Sequence, residues 1–228
     1  MIVAAALCPH PPLLLREVTG AVDAAASLRS ACAEAVRALT GALDPATDVV
    51  HVVGADGPLV TPASFAPSPV IKESKPDQGI RARPLSLLVG MRLLAEAGWG
   101  GEVVPHAVAP DAPPGECWAL GEALATAARP TAVLALGDGS ARRGPKAPGY
   151  VDERAASFDA DVLDALAAAD ADRLAAVDPE LAAVLLAAGR PAWQVLAGAL
   201  PWLGVSRGRL RYADDPFGVM YAVCTWIP

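Results

Sequence analysis

The 228-residue chain is short of charge. Asp, Glu, Lys and Arg together make up 19% of it. Lys and Arg number 18 against 25 acids, for a net charge of −7 and a pI of about 4.9. Neutralising phosphates takes a clustered excess of cations, so this balance excludes a broad nucleic-acid-binding surface and argues against docking on anionic membranes. Mean hydropathy is positive at +0.37, yet the chain lacks the clean run of about 20 apolar residues that a membrane span needs. Its longest apolar stretch, 181–205, is interrupted by Arg190, Pro191, Gln194 and Pro201 and reads as buried core helices. The opening MIVAAALCPHPPLLL has no basic leader residues and is cut by His10-Pro11-Pro12, which makes it a poor signal peptide; a cytoplasmic location is expected. No CxxC pair occurs among Cys8, Cys32, Cys117 and Cys224, so a zinc knuckle or redox dithiol is not supported and the cysteines read as buried free thiols. The P-loop pattern and the GxSxG nucleophile elbow are also missing.

What is present is core. Hydrophobic residues make up 54% of a chain long enough for one domain, taken here as residues 1–228. Apolar runs at 1–7, 48–53, 102–108 and 131–136 read as strands. Helical patterns cover 27–43, 84–97, 114–128 and 152–166, with Leu28, Cys32, Val36 and Leu39 on one face of the first. The Ala-rich segment 170–200 predicts two or three short helices, and 209–212 with 218–226 predicts a terminal strand pair. Strands alternating with helices imply an α/β fold, a single domain whose central mixed, mostly parallel sheet is flanked by helices. The Pro- and Ser-rich stretch 61–83 predicts a long irregular loop.

In such sheets ligands sit beyond the carboxyl ends of the strands. Three polar clusters fall there: Cys8-Pro9-His10, Gly54 to Gly57 with Asp56, and Gly137-Asp138-Gly139-Ser140. His10, held between prolines, suits a metal ligand or a general base, or else a strand-end histidine with both nitrogens bonded. Asp56 suits a metal ligand or a His-orienting carboxylate, or else a turn aspartate. The backbone of 137–140 suits an anion nest. Lys72, Lys75, Arg142, Arg143 and Lys146 are either solvated loop charges or a clamp for a carboxylate or phosphate. His51 reads as pointing into a core face. His106 is a possible second imidazole, and Asp214-Asp215 reads as a turn.

As a set these motifs resemble the class III extradiol ring-cleavage dioxygenases, the LigB-like superfamily that also includes the Memo-like proteins, and an actinobacterial branch of it in particular. The landmarks fall in order along nearly the whole chain: MIVAAALCPHPPLL, VVHVVGADG, LALGDGS, ASFDADVLDAL, LLAAGRPAWQVLAGAL and DPFGVMYAV. The resemblance implies Fe(II), or another divalent metal, held by two histidines and a carboxylate, with positions left open for an aromatic diol and O₂ and a further histidine as acid/base. His10 matches the first metal histidine. Asp56 stands where the family has its second, Ala141 where it has the acid/base histidine, and no acid occupies 189–192, where the carboxylate ligand would fall. The expected site is therefore metal at His10 and Asp56, with His10, Asp56, Asp138 and Ser140 carrying the chemistry. The expected activity is a diverged, dioxygenase-like one on a small aromatic or anionic substrate. The alternative is a metal-free small-anion or partner-binding protein on the same fold, or acid–base chemistry by His10 with Asp56 or Asp138 as its orienting carboxylate. A homodimer is a possible assembly by family analogy.

Overall fold

A computed structural model describes residues 1–15, 23–60, 82–145 and 147–228. In chain order the elements are β1 (Ile2–Cys8), α1 (Ala26–Thr40), β2 (Val49–Ala55), β3 (Leu59–Val60), β4 (Arg83–Pro84), α2 (Leu85–Glu96), β5 (Glu102–Val108) and α3 (Pro114–Ala125). Then come β6 (Thr131–Leu136), α4 (Arg154–Ala168), α5 (Ala171–Ala175), α6 (Pro179–Val184), α7 (Arg190–Ala199), β7 (Arg209–Asp214) and β8 (Tyr221–Trp226). The main sheet has the order β5-β2-β6-β1-β8-β7. Its first four strands are parallel, and β8 runs antiparallel to both β1 and β7. The fold is thus α/β with a mixed, mostly parallel six-stranded sheet, the class the sequence pattern implies.

The central strands are apolar on both faces because helices cover both. In β6, Val133 and Ala135 enter the layer built by α3, α4 and α7, while Ala132, Leu134 and Leu136 enter the layer built by α1 and α2. The apolar stripe of α1 is the one its periodicity marks: Leu28, Cys32, Val36 and Leu39 are all buried. α3 and α7 approach so closely that a Cβ on Gly121 would run into the Val195 carbonyl, and one on Gly198 into that of Trp118. The Ala-rich segment resolves into α5, α6 and α7. Asp170 caps α5 by accepting from the Arg173 amide. Asp178 caps α6 by accepting from the Glu180 and Leu181 amides, with Pro179 in the first turn.

Some details depart from the sequence pattern. α1 stops at Thr40 with Gly41 behind it, short of the expected Leu43. The β3–β4 ribbon, with Val60 paired to Arg83, has only two residues per strand and leaves no periodic signal. Residues 61–81, nearly all of the predicted loop including Lys72 and Lys75, lie outside the described residues, as does Lys146. All four cysteines are buried and free. No helix among the described residues is long and apolar enough to cross a membrane. Because β1, β2, β5 and β6 are parallel, their carboxyl ends share one edge of the sheet, and His10, Asp56, Pro110 and Asp138 follow within two residues of those ends.

Candidate functional site

A cavity of about 590 Å³ opens at that edge. His10 and Asp56 line it from the strand ends, Val60 and Leu85 from the ribbon and α2, and Leu186 and Arg190 from the turn into α7. Its volume suits a small organic molecule, and most of its wall is aliphatic.

His10 is buried, at 9% exposure. Its backbone amide donates to Oδ1 of Asp138 at 2.7 Å, and its Nδ1 lies 3.6 Å from that same oxygen. Nδ1 has no hydrogen-bond partner among the described residues, and 3.6 Å is too long for a hydrogen bond. A ring turned to close this gap would donate Nδ1–H to the carboxylate and leave Nε2 as the acceptor. Burial pushes the Asp138 carboxyl above its ordinary range, and His10 opposes the rise by its charge and its amide. The Cys32 thiol is hydrogen-bonded with that of Cys8 and buried, with Asp138 adding its charge, which drives its pKa well up, and burial and Asp138 also push up the Tyr221 phenol.

The other sequence candidates fall in several places. Asp56 lies on the cavity wall, exposed, and its Oδ1 accepts the Gly57 amide at 2.8 Å. It is at once a turn aspartate and a cavity residue. Ser140 is fully buried and is not among the cavity-lining residues; its Oγ donates to Asp159 Oδ2 at 2.5 Å and its amide to Oδ1 at 2.9 Å. Three amides of the supposed nest are already engaged, that of Gly137 with Cys8, that of Gly139 with Met220 and that of Ser140 with Asp159, so they do not offer an anion the concave set of donors expected. Arg143 pairs with Asp215 at 2.7 Å and lies 3.7 Å from Asp159; Arg142 donates to the Tyr150 carbonyl. Neither arginine lines the cavity. His51 does not sit in an apolar environment alone: its Nδ1 is 2.9 Å from Nε2 of His106, across the β2–β5 pair and away from the cavity.

Arg190 is the residue that sequence reasoning misses as a functional one. In the sequence it registers only as a break in an apolar stretch. The available signal is a lone arginine, set between Gly189 and Pro191, in an otherwise aliphatic segment. It is 2% exposed. The family resemblance places a metal-binding carboxylate at 189–192, and the structure puts a guanidinium there on the cavity wall.

The donor set does not fit the iron centre that the resemblance implies. Two histidines and a carboxylate are required, and among the described residues no group of three His, Cys, Asp or Glu side chains is placed to hold a metal ion. The buried Arg190 cation on the same wall opposes a second cation there.

No family model and no curated protein matches the chain. Among solved structures it is similar to an uncharacterized protein from Escherichia coli K12, at 13% identity over 98% of this chain and 99% of that one, with a TM-score of 0.47.

Proposed function

We propose that the cavity binds a small, largely apolar organic molecule, aromatic in the simplest case, and that His10 exchanges a proton with it without a metal. In this reading the chain is a diverged relative of the class III extradiol ring-cleavage dioxygenases that has kept the pocket and the first histidine. The observation that carries the proposal is His10 on the cavity wall with Asp138 behind it, Nδ1 to Oδ1 at 3.6 Å. A ligand hydroxyl at Nε2 gives its proton to the ring. The imidazolium so formed is stabilised by the Asp138 carboxylate, and the proton returns to the ligand or to solvent afterwards. The aliphatic wall keeps water away and strengthens both interactions.

A second reading, a divalent metal at His10 and Asp56, has one observation in its favour: both side chains line the same cavity. Elemental analysis separates the two. Wild type and His10→Ala, purified anaerobically without a metal-binding tag, are compared directly, and wild type is then titrated with phenols in the presence of EDTA. The proposal expects no stoichiometric metal in either protein and phenol binding that EDTA leaves intact and His10→Ala weakens. Near-stoichiometric iron, lost in the variant, overturns it in favour of the metal-dependent reading.

A further inference from the structure

We infer that the ligand of this cavity is an anion, a carboxylate on an apolar body, and that Arg190 holds its charged end. The inference rests on the proposal that the cavity binds a small molecule and adds the class of that molecule.

Arg190 is almost wholly buried. Its guanidinium donates to the carbonyl of Ala112 at 2.5 Å, to Gln194 Oε1 at 2.8 Å and to the carbonyl of Pro110. All three acceptors are neutral, and among the described residues Arg190 forms no ion pair. An arginine buried this way keeps its charge, and the charge is costly until an anion compensates it. The three bonds hold the fork rigid, which lowers the entropy lost when it binds a carboxylate.

The surroundings agree with an anion. Arg190 opens α7, a helix of ten residues, and Ala188 and Pro191 of the same entry turn also line the cavity. The positive end of the helix therefore lies at the same cavity that Arg190 lines. Among the described residues, Asp138 is turned to His10, Asp56 is exposed at the wall, and Asp111, between the two carbonyls that Arg190 bonds, is exposed, so solvent screens the last two. Val60, Leu85, Ala182, Leu186 and Ala187 supply an aliphatic wall for the rest of the ligand. The alternative is that Arg190 serves only to tie 110–112 to α7. That role predicts no preference for charge.

Benzoate and benzamide differ in charge and hardly in shape, so the test compares their dissociation constants by calorimetry or ligand-observed NMR. Wild type is expected to bind benzoate at least about tenfold more tightly, as a charge-assisted contact implies. Arg190→Gln is expected to bring benzoate down to the benzamide level without weakening benzamide, and Arg190→Lys to retain part of the preference. Equal binding of the two compounds by wild type overturns the inference while leaving the cavity a small-molecule site, and so does an Arg190→Gln protein with native circular dichroism that keeps the preference. Binding of neither compound overturns the inference and the small-molecule reading together. Because the first comparison needs only wild-type protein, the test stands even if Arg190→Gln does not fold.

Discussion

One carboxylate oxygen, Oδ1 of Asp138, accepts the backbone amide of His10 at 2.7 Å and lies 3.6 Å from the Nδ1 of the same residue. The amide bond ties the turn after β1 to the turn after β6. The 3.6 Å approach turns the Nδ1 edge of a buried imidazole toward the acid. A single acid thus sets both where His10 sits and which edge of its ring faces the carboxylate.

Asp138→Asn separates these two jobs. The amide oxygen still accepts from the His10 backbone, but the negative charge is gone. Burial raises the Asp138 pKa, so the fold favours the protonated carboxyl. That contribution is complete below the unfolded value of about 3.9 and is lost as pH rises through the folded value. Asn is neutral throughout. Melting curves from pH 4 to 8 are therefore expected to show the variant gaining stability relative to wild type as pH rises, while phenol binding at pH 7 weakens. A variant that loses stability relative to wild type over that range contradicts the assignment.

His51 and His106 predict an acid-sensitive edge of the sheet. Burial, and then the facing His106, hold His51 down to about 4, and burial lowers His106 as well. A depressed histidine contributes stability above its unfolded pKa of about 6.5, and that contribution is lost as pH falls through the folded value. The ring protons of His51 are expected to show the neutral form still dominant at pH 5 in NMR titrations. Replacing His51 by Leu is expected to flatten the fall in melting temperature between pH 6.5 and about 4.

Ser140 and Asp159 predict a structural cost. Asp159 is 1% exposed and depends on the Ser140 amide and hydroxyl, with Arg143 at 3.7 Å, for compensation of a carboxyl that burial raises. Ser140→Ala removes one donor from a buried acid, at a cost of about 1–3 kcal/mol. Urea unfolding reads this as a lower midpoint at unchanged slope.

The contact between α3 and α7 predicts a steric cost. A methyl at Gly121 or Gly198 meets the backbone of the opposite helix rather than a side chain that can turn aside. Gly198→Ala is expected to destabilise by about 1–3 kcal/mol despite the better helix propensity of alanine. Because α7 carries Arg190 at its first turn, the same variant is expected to weaken benzoate binding. An unchanged melting temperature would show that the helices can separate without loss.

Much of the fold is legible in the chain, because the hydrophobic effect writes it there. The apolar runs at 102–108 and 131–136 coincide with β5 and β6, and the stripe Leu28, Cys32, Val36, Leu39 is the buried face of α1. The parallel arrangement follows from strands alternating with helices, and it in turn gathers His10, Asp56 and Asp138 at one edge. Those properties are local and periodic, so a single sequence carries them.

The site is different, because its meaning depends on neighbours far apart in the chain. Asp138 meets His10 across 128 residues, and Ser140 is withdrawn from the cavity by Asp159 of α4. His51 and His106, unremarkable alone, meet because β2 and β5 are adjacent. Arg190 reads as a flaw in an apolar segment until the carbonyls of Pro110 and Ala112 are seen around it and the cavity beside it. The sequence by itself determined the sheet and the edge at which a ligand would sit. Only tertiary packing decided which of the polar residues face that ligand, since burial, charge compensation and orphaned donors are properties of distance in space, not of spacing along the chain.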